Sequence, residues 1–165
     1  MSKTALGAFS TLLLSGLFVC TAHTFPNGRM TGGGSFFQSV GRITHGFELH
    51  CTASDLPNNL EVNWGNGNRF HLDSLDTAIC TDENIDTQPP NPPNAGFTNY
   101  YGTGTGSYNG TPGYHAIWRF SDAGEPGTID RVYYFIVMDP SFTTPVLSSD
   151  GAAFLTFGNH QAHGK

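Results

Sequence analysis

Histidine is the first residue type to test for chemistry, because there are seven and imidazole binds transition metals and moves protons near neutral pH. His45 and His50 are five residues apart, so an extended chain places them on opposite faces. His160 and His163, three apart near the end of the chain, diverge for the same reason. His71 precedes Leu72 in a short strand, and His115 lies within Tyr114 to Phe120. There is no His-x-His pair, no His-Glu-x-x-His and no Cys-x-x-Cys. His23 is special by position. If a leader is removed after Ala22, His23 carries a free amine beside its imidazole, a donor pair suited to Cu(II). His23, His71 and His115 are therefore the candidate transition-metal ligands, and copper is the metal they suggest. The competing reading is a set of isolated, hydrogen-bonded histidines.

Carboxylates give a second set. Asp122, Glu125 and Asp130 bracket a Gly/Pro loop and suit Ca²⁺, which takes oxygen ligands in flexible geometry. The structural alternative is a tight turn, with Pro126 fixing φ and Gly127 taking a positive φ, and with the acids bonding loop amides. Asp82, Glu83 and Asp86 read as a solvated acidic stretch beside four prolines, with a second calcium site as the alternative. Glu48, Glu61 and Asp73 supply carboxylates for glycoside hydrolysis only if they converge. Glu48 and Glu61 fall on polar strand faces, where exposed acids are ordinary. No Gly-x-Ser-x-Gly elbow occurs, and no catalytic residue is assigned. No cofactor is required by this reading. Among the aromatics, Trp64 and Trp118 fall in apolar runs and read as core. Tyr100, Tyr101, Tyr108 and Tyr114, in a glycine-rich stretch that looks like a loop, are the candidate ligand-binding residues, because a tyrosine face stacks on sugars and its hydroxyl adds a polar contact.

The elements that must position these groups start behind a leader. Lys3 is followed by an apolar or small run from Ala5 to Cys20, ending in Cys20-Thr21-Ala22. The run is shorter than the ~20 residues a bilayer-spanning helix needs and ends at a small-residue cleavage pattern, so residues 1–22 read as a secretory signal peptide. Leu17, three residues before Cys20, opens a lipoprotein alternative that Phe18 and Val19 fit poorly. Removal of the leader leaves one domain, residues 23–165, secreted to the periplasm or the cell exterior. In an oxidising compartment Cys51 and Cys80 are expected to form a disulfide, closing a loop of roughly 30 residues worth ~3 kcal/mol. Two free thiols serving as metal ligands are the alternative.

Composition narrows the class. Only 12% of residues are charged, against 21 glycines and 10 prolines, which favours short strands and tight turns over long helices. The net charge of −6 disfavours nucleic acid and anionic lipid, both of which need clustered cations. Period-two alternation puts His45, Phe47, Leu49 and Cys51 on one face of a strand, and Leu60, Val62 and Trp64 on one face of the next. Gly65-Asn66-Gly67-Asn68 turns the chain into Arg69 to Leu72, and Leu75 to Cys80 reads as a further strand. A Pro-rich loop over 82–96 interrupts the rhythm. Tyr114 to Phe120 and Arg131 to Met138 are the strongest strands, the latter apolar enough to be buried on both faces. Val146-Leu147 and Ala152 to Phe157 follow, before a tail from Gly158 onward. The expected fold is all-β: an antiparallel meander of about eight strands forming a β-sandwich or small barrel.

Several phrases in order carry a family resemblance: Gly28-Arg-Met-Thr-Gly-Gly-Gly-Ser35, Thr44-His-Gly-Phe47, Leu60-Glu-Val62 leading to Phe70-His71-Leu72, Tyr101-Gly-Thr-Gly-Thr-Gly106, Asp122-Ala-Gly-Glu-Pro-Gly127 with Asp130, and Gly158-Asn-His-Gln-Ala-His163. Together they resemble the glycine-rich "post-COAP" domains of exported bacterial proteins. The resemblance implies an exported β-domain, alone or at the end of larger surface proteins, and brings no chemistry with it. The function expected is non-enzymatic binding or assembly at the cell surface, with a protein, a carbohydrate or a second copy as partner. The alternative is an exported metal-binding protein, including a copper-dependent oxidative enzyme built on His23.

Overall fold

The computed structural model describes residues 23–83, 93–149 and 151–164. The expected leader over 1–22, Asp86 and most of the Pro-rich stretch lie outside them. The described residues form ten strands: β1 (Arg29–Gln38), β2 (Gly41–His50), β3 (Asn59–Trp64), β4 (Asn68–Thr81), β5 (Asn99–Tyr108), β6 (Thr111–Ser121), β7 (Arg131–Met138), β8 (Pro145–Ser148), β9 (Ala153–Phe154) and β10 (Phe157–His163). All pairs are antiparallel and the order is β10-β1-β2-β3-β4-β5-β6-β7-β8, with β9 beside β7. Each strand from β1 to β7 pairs with its successor in sequence, which makes the sheet a meander. The hydrogen-bonded path ends at β10 and β8, so the ladder does not close into a barrel.

Alternation decides the inside. Ile43, His45, Phe47 and Leu49 of β2 face inward, as do Leu60, Val62 and Trp64 of β3. They meet Trp118 and Phe120 of β6 and Phe135 of β7 in one aromatic core. Burying a side chain of this size contributes about 1.5–3 kcal/mol. The Cys51–Cys80 disulfide joins the ends of β2 and β4 across β3, with a Cα–Cα distance of 5.4 Å. The Tyr100 hydroxyl donates to the His50 carbonyl beside it, at 2.8 Å.

Four expectations change. The stretch Tyr101 to Ser107 is strand rather than loop. Gly102, Gly104 and Gly106 point inward, where a Cβ would lie 2.4 Å from the Trp118 ring, 2.4 Å from Leu72 and 2.5 Å from the Phe70 ring. The glycines thus admit large side chains from neighbouring strands, and their frequency hides the strand signal. The tail from Gly158 is also strand. β10 pairs with β1 from Arg29↔His163 to Ser35↔Phe157, a partner fixed only by tertiary structure. Arg69–Leu72 and Leu75–Cys80 are one strand, β4, carrying register shifts between Leu72 and Ser74 and between Leu75 and Thr77. These bulges place Asp73 and Asp76 on the exposed side. Finally, β7 is buried on one face only. Val132, Phe135 and Val137 point in, whereas Tyr133, Tyr134, Ile136 and Met138 are half-buried on the outer face.

Candidate functional site

Two regions of the fold bring unusual groups together. The first is inside. His45 of β2 and His160 of β10 meet at 2.7 Å between their Nε2 atoms, boxed by Phe36, Phe47 and Phe120. His160 Nδ1 lies 2.9 Å from the Ser121 carbonyl, which only accepts, so Nδ1 carries the proton. His160 Nε2 is then a lone pair, and His45 Nε2–H donates to it. His45 Nδ1 is left without a partner. Both rings are neutral in this arrangement. Burial holds His45 well below the usual histidine range, with His160 adding to the effect, and burial pulls His160 down to about 4. Metal ligation needs both lone pairs aimed at a common ion, whereas here one nitrogen donates to the other.

Around this pair, two carboxylates bond the free side of β10. Asp130 Oδ2 accepts from the His160 N–H (2.6 Å) and Oδ1 from the Ala123 N–H (2.8 Å). Asp122 Oδ2 accepts from the Ala162 N–H (2.7 Å) and Oδ1 from the Gly124 N–H (2.7 Å). Glu125 Oε1 accepts from Asn159 Nδ2 (3.0 Å). The amides that β10 turns away from β1 are thus taken up by side chains of the β6–β7 connection, where a ladder would need another strand. Burial pushes Asp130 up to about 7 and raises Asp122, against the pull of the amides they accept from. The turn in this connection differs from expectation. Gly127 opens a 3₁₀ turn, Gly127–Ile129, and the glycine at positive φ is Gly124 (φ 83). What requires glycine at 127 is close approach: a Cβ there would lie 2.6 Å from the Gly158 carbonyl oxygen and 2.7 Å from Asn159 Cα.

The second region is outside, on β4 to β7. Register aligns Ile79, Tyr101, Arg119 and Tyr134 in one outward row, and Thr77, Thr103, Ile117 and Ile136 in the next. A register shift between Arg119 and Phe120 brings Tyr133 to the same face. The Arg119 guanidinium lies 4.8 Å from the Tyr101 ring centroid and 4.0 Å from that of Tyr133, and it bonds Asn99 Oδ1 at 3.0 Å. Glu83 accepts the Tyr101 hydroxyl and stands 3.6 Å from Arg119. Burial first, and then this bond to Glu83, raises the Tyr101 phenol. Beyond Ile117, the segment after β7 folds back so that Phe142 stacks on His115 with centroids 3.8 Å apart. Phe142 holds a left-handed backbone (φ 59), unusual for a bulky residue. Asp139 keeps it there: its carboxylate accepts from the Thr143 and Thr144 amides and the Ser141 and Thr143 hydroxyls, which holds its pKa below the usual carboxylate range.

The remaining candidates are scattered. His23 lies against Asp82, with its Nδ1 3.3 Å and its backbone N 2.9 Å from that carboxylate. Thr24 bridges to Thr81, so His23 sits at the opposite end of β4 from His71. His71 faces Glu61 at 3.5 Å, and Glu48 faces Arg29 at 3.8 Å. His115 is two strands from His71. Among the described residues no three of His, Cys, Asp and Glu gather to hold a metal ion. Tyr100 is buried. Tyr108 stacks on Trp64 and packs on Tyr114 at the end of the sheet where the hairpin turns lie. Of the four tyrosines, Tyr101 alone belongs to the outward face. Sequence reasoning missed Phe142 and Arg119, which stand out only once β4 to β7 are set side by side. No helix among the described residues is long and apolar enough to cross a membrane. In comparisons with known proteins, no family model, no curated protein and no solved structure matches this chain.

Proposed function

We propose that this chain is an exported, non-enzymatic binding domain that presents the outward face of β4 to β7 at the cell surface. The observation that carries the reading is the apolar and aromatic character of that face. Ile79 and Ile117 are 49% and 39% exposed, beside Tyr101, Tyr133, Tyr134, Ile136 and Phe142. An exposed apolar surface ringed by polar groups marks interaction rather than stability. The Cys51–Cys80 bridge supports an oxidising compartment, in keeping with the leader-like first 22 residues.

The test is to produce the full chain behind its own first 22 residues, recover the exported product and measure its retention on cells of the producing strain. Ile117→Glu combined with Tyr134→Glu is expected to release the protein from cells while leaving its melting temperature within about 2 °C. Retention unchanged by that pair overturns the reading. So does a turnover activity of the purified protein that a single point change abolishes.

A further inference from the structure

Resting on the surface-binding reading, we infer that the hollow beneath Phe142 is a binding site for one ring of a neutral saccharide. The hollow, about 210 Å³, opens on the outer face between Asp76, Thr103, His115, Ile117 and Phe142. It has the size of a single ring, with the rest of a chain running along the Ile117–Tyr134 surface.

Its chemistry comes from three elements. The register shift of β4 sets Asp76 out of the ladder and over the hollow, the way bulges re-aim side chains beside sites. The Thr105 hydroxyl donates to Asp76 Oδ2 at 3.0 Å. The Thr105 oxygen is therefore the acceptor for His115 Nδ1, 3.4 Å away, and that tautomer leaves His115 Nε2 as a lone pair. Nε2 has no hydrogen-bond partner among the described residues. Asp76 keeps further lone pairs beyond those that Thr105 and Ser74 use. The hollow thus offers acceptors at its rim, an apolar floor at the Ile117 side chain, and an aromatic wall at Phe142, 59% exposed.

That combination selects the ligand class. Sugar hydroxyls donate to acceptors, while the C–H face of the ring lies on an aromatic ring and on apolar floor atoms. A rim that carries the Asp76 carboxylate, on a chain of net charge −6, repels carboxylate, phosphate and sulfate groups. The strained Phe142 backbone, held by the four-donor Asp139 loop, fixes the wall before binding, so little ordering cost falls on the ligand.

The test titrates the protein with a panel of cello-, xylo-, malto-, manno- and chitohexaose, following backbone amide shifts by NMR. At least one member is expected to shift amides of Thr103, His115, Ile117 and Phe142 with a Kd in the millimolar range or tighter. Phe142→Gly removes the wall and suits the left-handed backbone, so it folds at least as well as the parent. It is expected to weaken binding by about tenfold or more, Asp76→Asn by several-fold, and Glu61→Gln on β3 not at all. Shifts that map elsewhere, binding undiminished in Phe142→Gly, or no binding by any member each overturn the assignment. If cells still retain the protein and Ile117→Glu with Tyr134→Glu still releases it, the surface-binding reading stands and the saccharide site alone falls. If retention fails as well, both fall.

Discussion

The seam of β10 with the β6–β7 connection and the outward face of β4 to β7 invert the usual distribution of polarity in opposite ways. At the seam, two histidines and two aspartates are buried, and all four carboxylate oxygens and three of the four ring nitrogens have partners. On the face, isoleucines, tyrosines and Phe142 stand partly in water. Buried polar groups and exposed apolar patches are the two informative exceptions to ordinary burial. Here they divide the labour: the seam's polar groups are consumed in holding strands together, while the face keeps unspent contact area. Substitutions should therefore separate, costing stability at the seam and binding at the face.

The largest effect is expected at Asp130. Asp130→Ala removes the acceptor of two amides, those of Ala123 and His160, in a buried setting. At about 1–3 kcal/mol per unsatisfied buried group, the loss should reach about 3 kcal/mol or more, read by urea denaturation. A loss under about 1 kcal/mol would mean that β10 is held without the carboxylate, and the contrast would weaken.

Gly127→Val should come next, at about 1–3 kcal/mol, because the new side chain runs into the Gly158 carbonyl and the Asn159 backbone. A melting temperature equal to the parent's would show that the 3₁₀ turn can draw away from β10.

Titration sharpens the comparison further. His45 and His160 are held below the ordinary histidine value, so the unfolded chain binds protons more readily than the folded one. Their contribution is fully present above about pH 6.5 and is lost as pH falls toward 4. Asp130, raised to about 7, runs the other way: its contribution is present below about pH 4 and is lost as pH rises toward 7. Between about pH 4 and 7 the two slopes oppose each other. Asp130→Asn should remove one of them, so that stability falls more steeply on acidification than in the parent. Parallel pH profiles for parent and variant, from denaturation midpoints at pH 7 and 4.5, would refute this opposition.

The smallest stability effect belongs to the face. Ile117→Glu or Tyr134→Glu alone should change stability by no more than about 0.5 kcal/mol, since each side chain already lies partly in water. A loss above about 2 kcal/mol in either variant would mark the face as part of the core's support and end the division between the regions.

How much of this was legible varies by element. The inward faces of β2 and β3 follow from alternation that any half-buried strand must show, and the limits of β7 from its unbroken apolar run. β5 and β10 were not legible. In β5, glycine stands where neighbours intrude, so the apolar period vanishes from the sequence. In β10, the strand character of Gly-Asn-His-Gln-Ala-His is supplied by its partner β1 and by the Asp122 and Asp130 carboxylates. Spacing correctly separates His45 from His50 and His160 from His163. It says nothing of His45 against His160, which are 115 residues apart.

By itself, the sequence determined the period-two pattern, the two cysteines available to each other and the turn at Gly65–Asn68, because all three depend on local conformation or on counting. Only the tertiary structure decided which histidines meet, which carboxylates close on β10 and which side chains share the outer face with Phe142. Those outcomes depend on the register between strands far apart in the chain, and a slip of one residue would send every side chain to the other face.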